Sequence, residues 1–147
     1  MTRGLLFLCV ANSARSQLAE GIARQLAGSS LTVQSAGSAP GLIHPLAVRA
    51  LAEIGIDGSA QRSKSVDEVD RTKIDTVITL CAEEVCPVYL GTARRLHWPL
   101  PDPAGQDEST AASLQRFRAV REELTRRIER FLFEEGVVRP PAATETD

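Results

Sequence analysis

Short apolar runs alternate along the chain with longer segments whose apolar residues recur every three or four positions. A continuous apolar run predicts a buried strand, whereas the three-and-four spacing predicts a helix with one buried side. Glycine and proline residues separate these segments and indicate loops. The expected strands are 4–9, 31–35, 74–80 and 93–98, and the expected helices are 16–26, 45–54 and 109–133.

The order of these elements, in which strands and helices alternate, predicts an α/β fold. We expect a single domain with a four-stranded parallel sheet and helices on both faces, because right-handed crossovers place helices over such a sheet. The domain is expected to cover residues 1–136, and residues 137–147 are expected to form a disordered tail. Ligands of such sheets bind beyond the carboxyl ends of the strands, so the segments that follow the strands are the first place to look for chemistry.

The composition argues against several classes of protein. The 147 residues carry a net charge of −2, and the arginines between residues 116 and 130 alternate with glutamates, which is typical of a solvated helix face. No nucleic-acid-binding face is therefore expected. No apolar run reaches the roughly 20 residues that a membrane-spanning helix needs. We expect a cytoplasmic protein, a monomer, that binds neither nucleic acid nor a membrane.

The three cysteines are Cys9, Cys81 and Cys86. Secreted disulfide frameworks favour an even number, whereas cysteines in a reducing cytosol are more often buried, catalytic or metal-bound. The two histidines, His44 and His97, lack the spacing of a zinc site and are interpreted as structural. We therefore expect no tightly bound cofactor, and the chemistry of the thiols becomes the main question.

The stretch FLCVANSARS, residues 7–16, places Cys9 where the first strand ends and Arg15 where the first helix begins. The positive end of a helix favours an anion, including a thiolate, which is the nucleophilic form of cysteine. The guanidinium of Arg15 can grip two oxygens of a tetrahedral oxyanion, and Ser16 can donate a hydrogen bond to the sulfur. Small residues let the intervening backbone curl, so that its N–H groups form an anion-binding nest. The predicted oxyanion-binding residues are Val10, Ala11, Asn12, Ser13, Ala14, Arg15 and Ser16.

The same stretch has a plainer interpretation. Cys9 could be a core thiol at a strand end and Arg15 a surface charge, because a cysteine and an arginine at this spacing occur often by chance. The position between a strand and a helix favours the nucleophile, and on local context alone both interpretations stay open.

The stretch CVANSARS, together with Gln17, Ala19, Glu20 and Gly21, resembles the phosphate-binding loop of the low-molecular-weight protein tyrosine phosphatases. Asp102 and Pro103 resemble the general-acid segment of that fold. The segments VITLCAEEVCP (77–87) and HWPLPDPAG (97–105) are similar to those of the thioredoxin-coupled arsenate reductases, which share the phosphatase fold.

This resemblance implies a three-cysteine reduction of arsenate. Cys9 would attack arsenic, with Asp102 as general acid and Arg15 stabilising the oxyanion. Cys81 would then attack the Cys9 sulfur and release arsenite, and Cys86 would attack Cys81. Thioredoxin would reduce the final disulfide, which requires the segment from residue 81 to about residue 90 to rearrange. Phosphate or sulfate would fit the same loop, and weak phosphatase activity is expected.

Some relatives bind potassium near the loop through residues that resemble Asn12, Glu20 and Ser35. In this chain Lys64 is expected close to a position that is acidic in the cation-binding relatives. The hypothesis is that the ammonium group of Lys64 replaces the potassium ion.

Two other functions compete with this prediction. A protein tyrosine phosphatase of the same fold would use Cys9, Arg15 and Asp102 but would have no use for Cys81 and Cys86. A non-catalytic oxyanion receptor or redox sensor would need no proton donor, so the presence of Asp102 argues against it.

Overall fold

The computed structural model describes residues 3–82, 89, 91–104 and 109–137. Its strands are β1 (Gly4–Cys9), β2 (Thr32–Gly37), β3 (Thr76–Thr79) and β4 (Arg94–His97). Its helices are α1 (Arg15–Ala27), α2 (Pro45–Ala52) and α3 (Thr110–Glu134). Three short 3₁₀ helices, Gly28–Ser30, Val66–Glu68 and Arg71–Lys73, complete the described elements.

The four strands form one parallel sheet in the order β2-β1-β3-β4. The predicted α/β class with a four-stranded parallel sheet is therefore confirmed. The register aligns Cys9 of β1 with Gly37 of β2, and Leu8 of β1 with Thr79 of β3. Because the strands are parallel, the segments that follow β1, β2, β3 and β4 meet at one edge of the sheet.

The side chains of β1 divide the core into two parts. Leu5 and Phe7 belong to the larger cluster, which includes the buried sides of α1, α2 and α3. Leu6 and Leu8 belong to a smaller cluster on the opposite face, where Val69 and Ile74 pack from beside the 3₁₀ helices 66–68 and 71–73, and Tyr89 packs from the segment between β3 and β4. The three described α-helices thus cover one face of the sheet, and the 3₁₀ helices 66–68 and 71–73 lie on the other, because successive side chains of a strand point to opposite faces.

The main boundary differences have local causes. Helix α2 ends at Ala52 instead of residue 54, because the chain turns through Gly55 at φ 82° and Ile56 donates back to the Leu51 carbonyl. Strand β3 begins at Thr76 instead of residue 74, because Ile74 still donates to Arg71 in the preceding 3₁₀ turn.

The expected tail is described only at its first residue. Val137 packs partly against the larger cluster, and its N–H donates to the Leu132 carbonyl at 2.9 Å. Residues 138–147 lie outside the described residues, so a disordered tail stays a prediction. Within the described part of the chain, no helix has the length and apolar character to cross a membrane.

Candidate active site

Cys9 is the last residue of β1, and α1 begins six residues later at Arg15. The thiol is 3% exposed and faces a cavity of about 340 Å³. The residues that line this cavity are Cys9, Val10, Ala11, Ser13, Ala14, Arg15, Asp102 and Ala104. The structure therefore brings together three of the five predicted catalytic residues and most of the predicted oxyanion-binding loop.

The backbone carbonyls of residues 10–13 each accept a hydrogen bond from a group that does not line the cavity. Their donors are Ala39 N for Val10, Gly41 N and Ser63 Oγ for Ala11, Gln17 Nε2 for Asn12, and His44 N for Ser13. These bonds are 2.9–3.1 Å long. The N–H groups of residues 11–14 have no partner among the described residues, so they remain available to an oxyanion.

Two residues let the chain make this tight loop. Asn12 has φ 49°, the left-handed conformation that asparagine tolerates better than most residues. Gly37 of β2 lies directly against the loop, where an added Cβ would stand 2.3 Å from the Val10 carbonyl oxygen. A side chain at residue 37 would therefore displace the loop backbone itself.

Ser16 lies 2.9 Å from the Cys9 sulfur through its Oγ, and both groups are buried. The same Oγ accepts a hydrogen bond from Asn12 Nδ2 at 2.8 Å. Because an amide nitrogen only donates, the Ser16 hydroxyl must accept from Asn12, and its proton is free to point at sulfur. A hydroxyl proton held in this direction would stabilise negative charge that develops on the sulfur.

Asn12 extends this network in two further directions. Its Nδ2 also donates to Ser35 Oγ at 2.9 Å, and Ser35 donates to the Glu20 carboxylate at 2.5 Å. Its Oδ1 accepts from the main-chain N–H of Lys64 at 2.8 Å. These opposing partners fix the orientation of the Asn12 amide, and with it the direction of the bond to Ser16.

Arg15 connects the loop to the ends of two other strands. Its guanidinium donates to the Leu100 carbonyl at 2.9 Å and to the Leu80 carbonyl at 3.4 Å. Its other terminal nitrogen is 3.8 Å from Asp102 Oδ2. The side chain of Arg15 is 5% exposed and that of Asp102 is 53% exposed, so the pair spans the wall and the mouth of the cavity.

Asp102 is held by its own loop. Its Oδ1 accepts from the N–H of Ala104 at 3.0 Å, and the neighbouring Leu100 N–H donates to the Leu80 carbonyl at 3.1 Å. The backbone that carries the Asp102 carboxyl group is therefore fixed at the mouth of the cavity. From there the carboxyl group could donate a proton to an atom bound beside Cys9.

The second predicted cysteine follows β3. Cys81 is 1% exposed and disulfide-bonded, whereas Cys9 is a free thiol. Leu80, which precedes Cys81, donates its N–H to the Leu8 carbonyl at 2.9 Å, so the chain before each cysteine lies on adjacent strands. Cys86 and most of the segment 81–90 lie outside the described residues, as does the rearrangement predicted for that segment.

The residues predicted around a cation, Asn12, Glu20 and Ser35, are joined by hydrogen bonds. The replacement of the cation by Lys64 stays a prediction. Lys64 is half-buried, and burial lowers the pKa of its ammonium group, although the negative charge of Glu20 acts in the opposite direction. The direct ion pair to Glu20 comes from Arg24, at 2.8 Å. Sequence reasoning missed Arg24, although its spacing from Glu20, one helical turn, was a usable signal.

No group of three or more histidine, cysteine, aspartate or glutamate side chains that could hold a metal ion occurs within the residues that the structure describes. The predicted structural role of His44 agrees with its contacts. Its Nδ1 accepts from Leu46 N at 3.1 Å and caps α2, and its ring lies 4.7 Å from that of Phe117.

Comparison with known proteins places this geometry in a family. The family described as low molecular weight phosphotyrosine protein phosphatase matches residues 4–139. A protein named arsenate reductase from Halalkalibacterium halodurans is 41% identical over 129 residues, which is 86% of this chain and 93% of that protein.

Solved structures give the same result. An arsenate reductase in the phosphate binding state superposes with a TM-score of 0.76 at 32% identity, over 90% of this chain and 98% of that one. A thioredoxin-dependent arsenate reductase from Corynebacterium glutamicum superposes with a TM-score of 0.67 at 35% identity, over 91% of this chain and 61% of that one. The sequence relative and both solved structures are thus named arsenate reductase, and the two solved structures share the fold of this chain.

Proposed function

Because this chain belongs to the low molecular weight phosphotyrosine protein phosphatase family, we propose that it reduces arsenate to arsenite. The observation that carries the proposal is the pair of cysteines at the ends of adjacent strands, Cys9 free in its anion cradle and Cys81 disulfide-bonded. A phosphatase needs the first thiol only. The similarity to proteins named arsenate reductase supports the same choice.

In the first step, the Cys9 thiolate attacks the arsenic of bound arsenate. One oxygen leaves as water after Asp102 supplies a proton, and a Cys9–arsenic bond replaces the arsenic–oxygen bond. The N–H groups of residues 11–14, which have no partner among the described residues, and the guanidinium of Arg15 stabilise the oxyanion charge that accumulates. The half-exposed position of Asp102 allows it to take up another proton from solvent.

In the second step, the Cys81 thiolate attacks the Cys9 sulfur. The electron pair of the sulfur–arsenic bond passes to arsenic, which leaves as arsenite, and a Cys9–Cys81 disulfide forms. Cys86 then attacks the Cys81 sulfur, which releases Cys9 as a thiolate and leaves a Cys81–Cys86 disulfide. The state described here, with Cys81 oxidised and Cys9 free, is compatible with the end of this sequence.

We further propose that thioredoxin reduces the final disulfide and that the enzyme acts as a monomer. The thioredoxin-dependent relative supports the choice of reductant. Electrons would pass from a dithiol protein to Cys81 and Cys86, so that one arsenate is reduced for each dithiol oxidised.

The deciding experiment follows NADPH oxidation in the presence of thioredoxin, thioredoxin reductase and arsenate. The wild-type protein should turn over continuously, Cys86→Ser should stop after a single turnover, and Cys9→Ser should not react. Asp102→Asn should still bind arsenate but turn over slowly, whereas in a simple receptor this substitution would change nothing.

The alternative is a phosphatase, which the family match and the shared Cys9, Arg15 and Asp102 constellation favour. It predicts that wild type and Cys86→Ser hydrolyse p-nitrophenyl phosphate at the same substantial rate and that neither consumes NADPH with arsenate. That result would replace the reductase proposal. Slow hydrolysis beside rapid arsenate reduction is the expected outcome.

We also propose that the enzyme needs no potassium ion, because basic side chains already stand near the Glu20 carboxylate. Arsenate reduction should proceed at the same rate in potassium and sodium salts of equal ionic strength. A several-fold increase with potassium alone would show that Lys64 and its neighbours do not replace the cation.

A further inference from the structure

A continuous chain of hydrogen bonds connects the Cys9 sulfur to a surface arginine. It runs through Ser16, Asn12 and Ser35 to the Glu20 carboxylate, whose second oxygen receives Arg24 at 2.8 Å. Every intermediate link is 2.5–2.9 Å long. The chain therefore joins a charged group on the accessible side of α1 to the sulfur in the cavity.

The two ends of this chain differ in exposure. The side chain of Glu20 is 4% exposed, whereas that of Arg24 is 54% exposed. A carboxylate buried to this extent needs a counter-charge, and without one its negative charge opposes the formation of a second negative charge nearby. Arg24 is held in place by the Val33 carbonyl, which accepts from its Nε at 3.2 Å and from a terminal nitrogen at 2.9 Å.

We propose that Arg24 is a positioning residue for the nucleophile, because it neutralises Glu20 and so allows the Cys9 thiolate to form at a lower pH. The inference rests on the proposed function only in taking Cys9 as the nucleophile. Arg24 does not touch the cavity, so its effect passes through Glu20 and the hydrogen-bond chain.

In the described structure, Lys64 is not the ion-pair partner of Glu20. No carboxylate of a described residue lies within ion-pair distance of its ammonium group, although the charge of Glu20 reaches it. Among the described residues, the other charged groups that line the cavity with the sulfur are Arg15, at the start of α1, and Asp102, at the cavity mouth. Neither contacts Glu20, so both stay constant when the Glu20–Arg24 pair is changed.

The test measures how fast iodoacetamide alkylates Cys9 as a function of pH, with the Cys9 peptide quantified by mass spectrometry. Under non-reducing conditions Cys81 is bonded, and the peptide readout separates Cys9 from the other thiols. Arg24→Gln should raise the pH midpoint of alkylation by about half a unit, because a contacting charge shifts an ionisation by roughly 1–3 units and this one acts at a distance. Glu20→Gln should lower the midpoint or leave it unchanged.

The double variant Glu20→Gln/Arg24→Gln removes both charges and should return the midpoint to the wild-type value. Arg24→Lys should keep it there as well. Arg130→Gln, which removes an exposed i,i+4 pair with Glu134 on α3, is the matched control and should have no effect. Circular dichroism on each variant identifies any that fail to fold.

An unchanged midpoint in folded Arg24→Gln would overturn the proposal. So would a double variant that shifts as far as Arg24→Gln alone, because Arg24 would then act independently of Glu20. The assay needs no arsenate, so its outcome is separate from that of the arsenate reductase test.

Discussion

Asn12 combines three roles that normally need several residues. Its backbone adopts the left-handed conformation that the loop needs. Its Nδ2 donates to Ser16 and Ser35, and its Oδ1 accepts a hydrogen bond from the N–H of Lys64. Because each of these partners requires a particular atom of the amide, the side chain cannot rotate without losing bonds on both sides. The direction of the Ser16 hydroxyl toward Cys9 is a consequence of this constraint.

Ser16→Ala should therefore slow reaction at Cys9, because the sulfur loses its hydroxyl partner. A hydrogen bond to a charged group contributes about 1.5–3 kcal/mol, so alkylation of Cys9 at neutral pH should fall by about 10- to 100-fold. Iodoacetamide kinetics in the absence of arsenate would measure this.

Ser59→Ala is a suitable control, because the hydroxyl of Ser59 donates to Asp57 at the surface and should not affect the thiol. Equal alkylation rates for wild type and Ser16→Ala would mean that the 2.9 Å contact does not stabilise the thiolate.

At the scale of elements, α2 links the active-site loop to α3. Its N-terminal end is capped by His44, whose own N–H donates to the Ser13 carbonyl in the loop. Its C-terminal end is followed by Glu53, which receives Arg118 and Arg121 from α3 at 2.6 and 2.8 Å. Helix α2 thus connects the loop that follows Cys9 to α3.

This connection should depend on pH. The two guanidinium groups lower the pKa of Glu53 from about 4.5 to about 2 in the folded protein. A carboxyl group with a depressed folded-state pKa contributes stability above its unfolded pKa, and that contribution is lost as the pH falls. The free energy of unfolding should therefore decrease between about pH 4.5 and pH 2.

Urea denaturation at a series of pH values would measure the slope of that decrease. Glu53→Gln should make it shallower, whereas Glu134→Gln, at an exposed i,i+4 pair, should leave it close to wild type. The assignment to Glu53 fails if both variants keep the wild-type slope.

At the scale of the whole molecule, the strand-to-helix alternation was sufficient to predict the parallel sheet. It was also sufficient to place Cys9 and Arg15, because both lie within a few residues of element boundaries that local pattern defines. The 3₁₀ helices 66–68 and 71–73 were not predicted, since three residues are too few to show a period.

The partners that shape the loop could not be predicted because they are distant in sequence. Ala39, Gly41 and Ser63 reach the loop carbonyls only after β2 and the segment before β3 have packed. Arg24 was missed for a related reason. The spacing from Glu20 was visible, but an i,i+4 pair is usually exposed, and only the packed structure shows that Glu20 is buried.

The partners of the loop carbonyls come much later in the sequence than Cys9. The reactivity of Cys9 therefore depends on how much of the chain has been synthesised. Cys9 leaves the ribosome early, but Ser63 and Lys64, which hold Ala11 and Asn12, are translated much later. Until they arrive, the nascent chain carries an ordinary thiol with no cradle around it. Cys9 is thus synthesised near the beginning of translation, whereas its loop can form only after Ser63 and Lys64, and the contacts of Arg15 only after Leu100, have been synthesised.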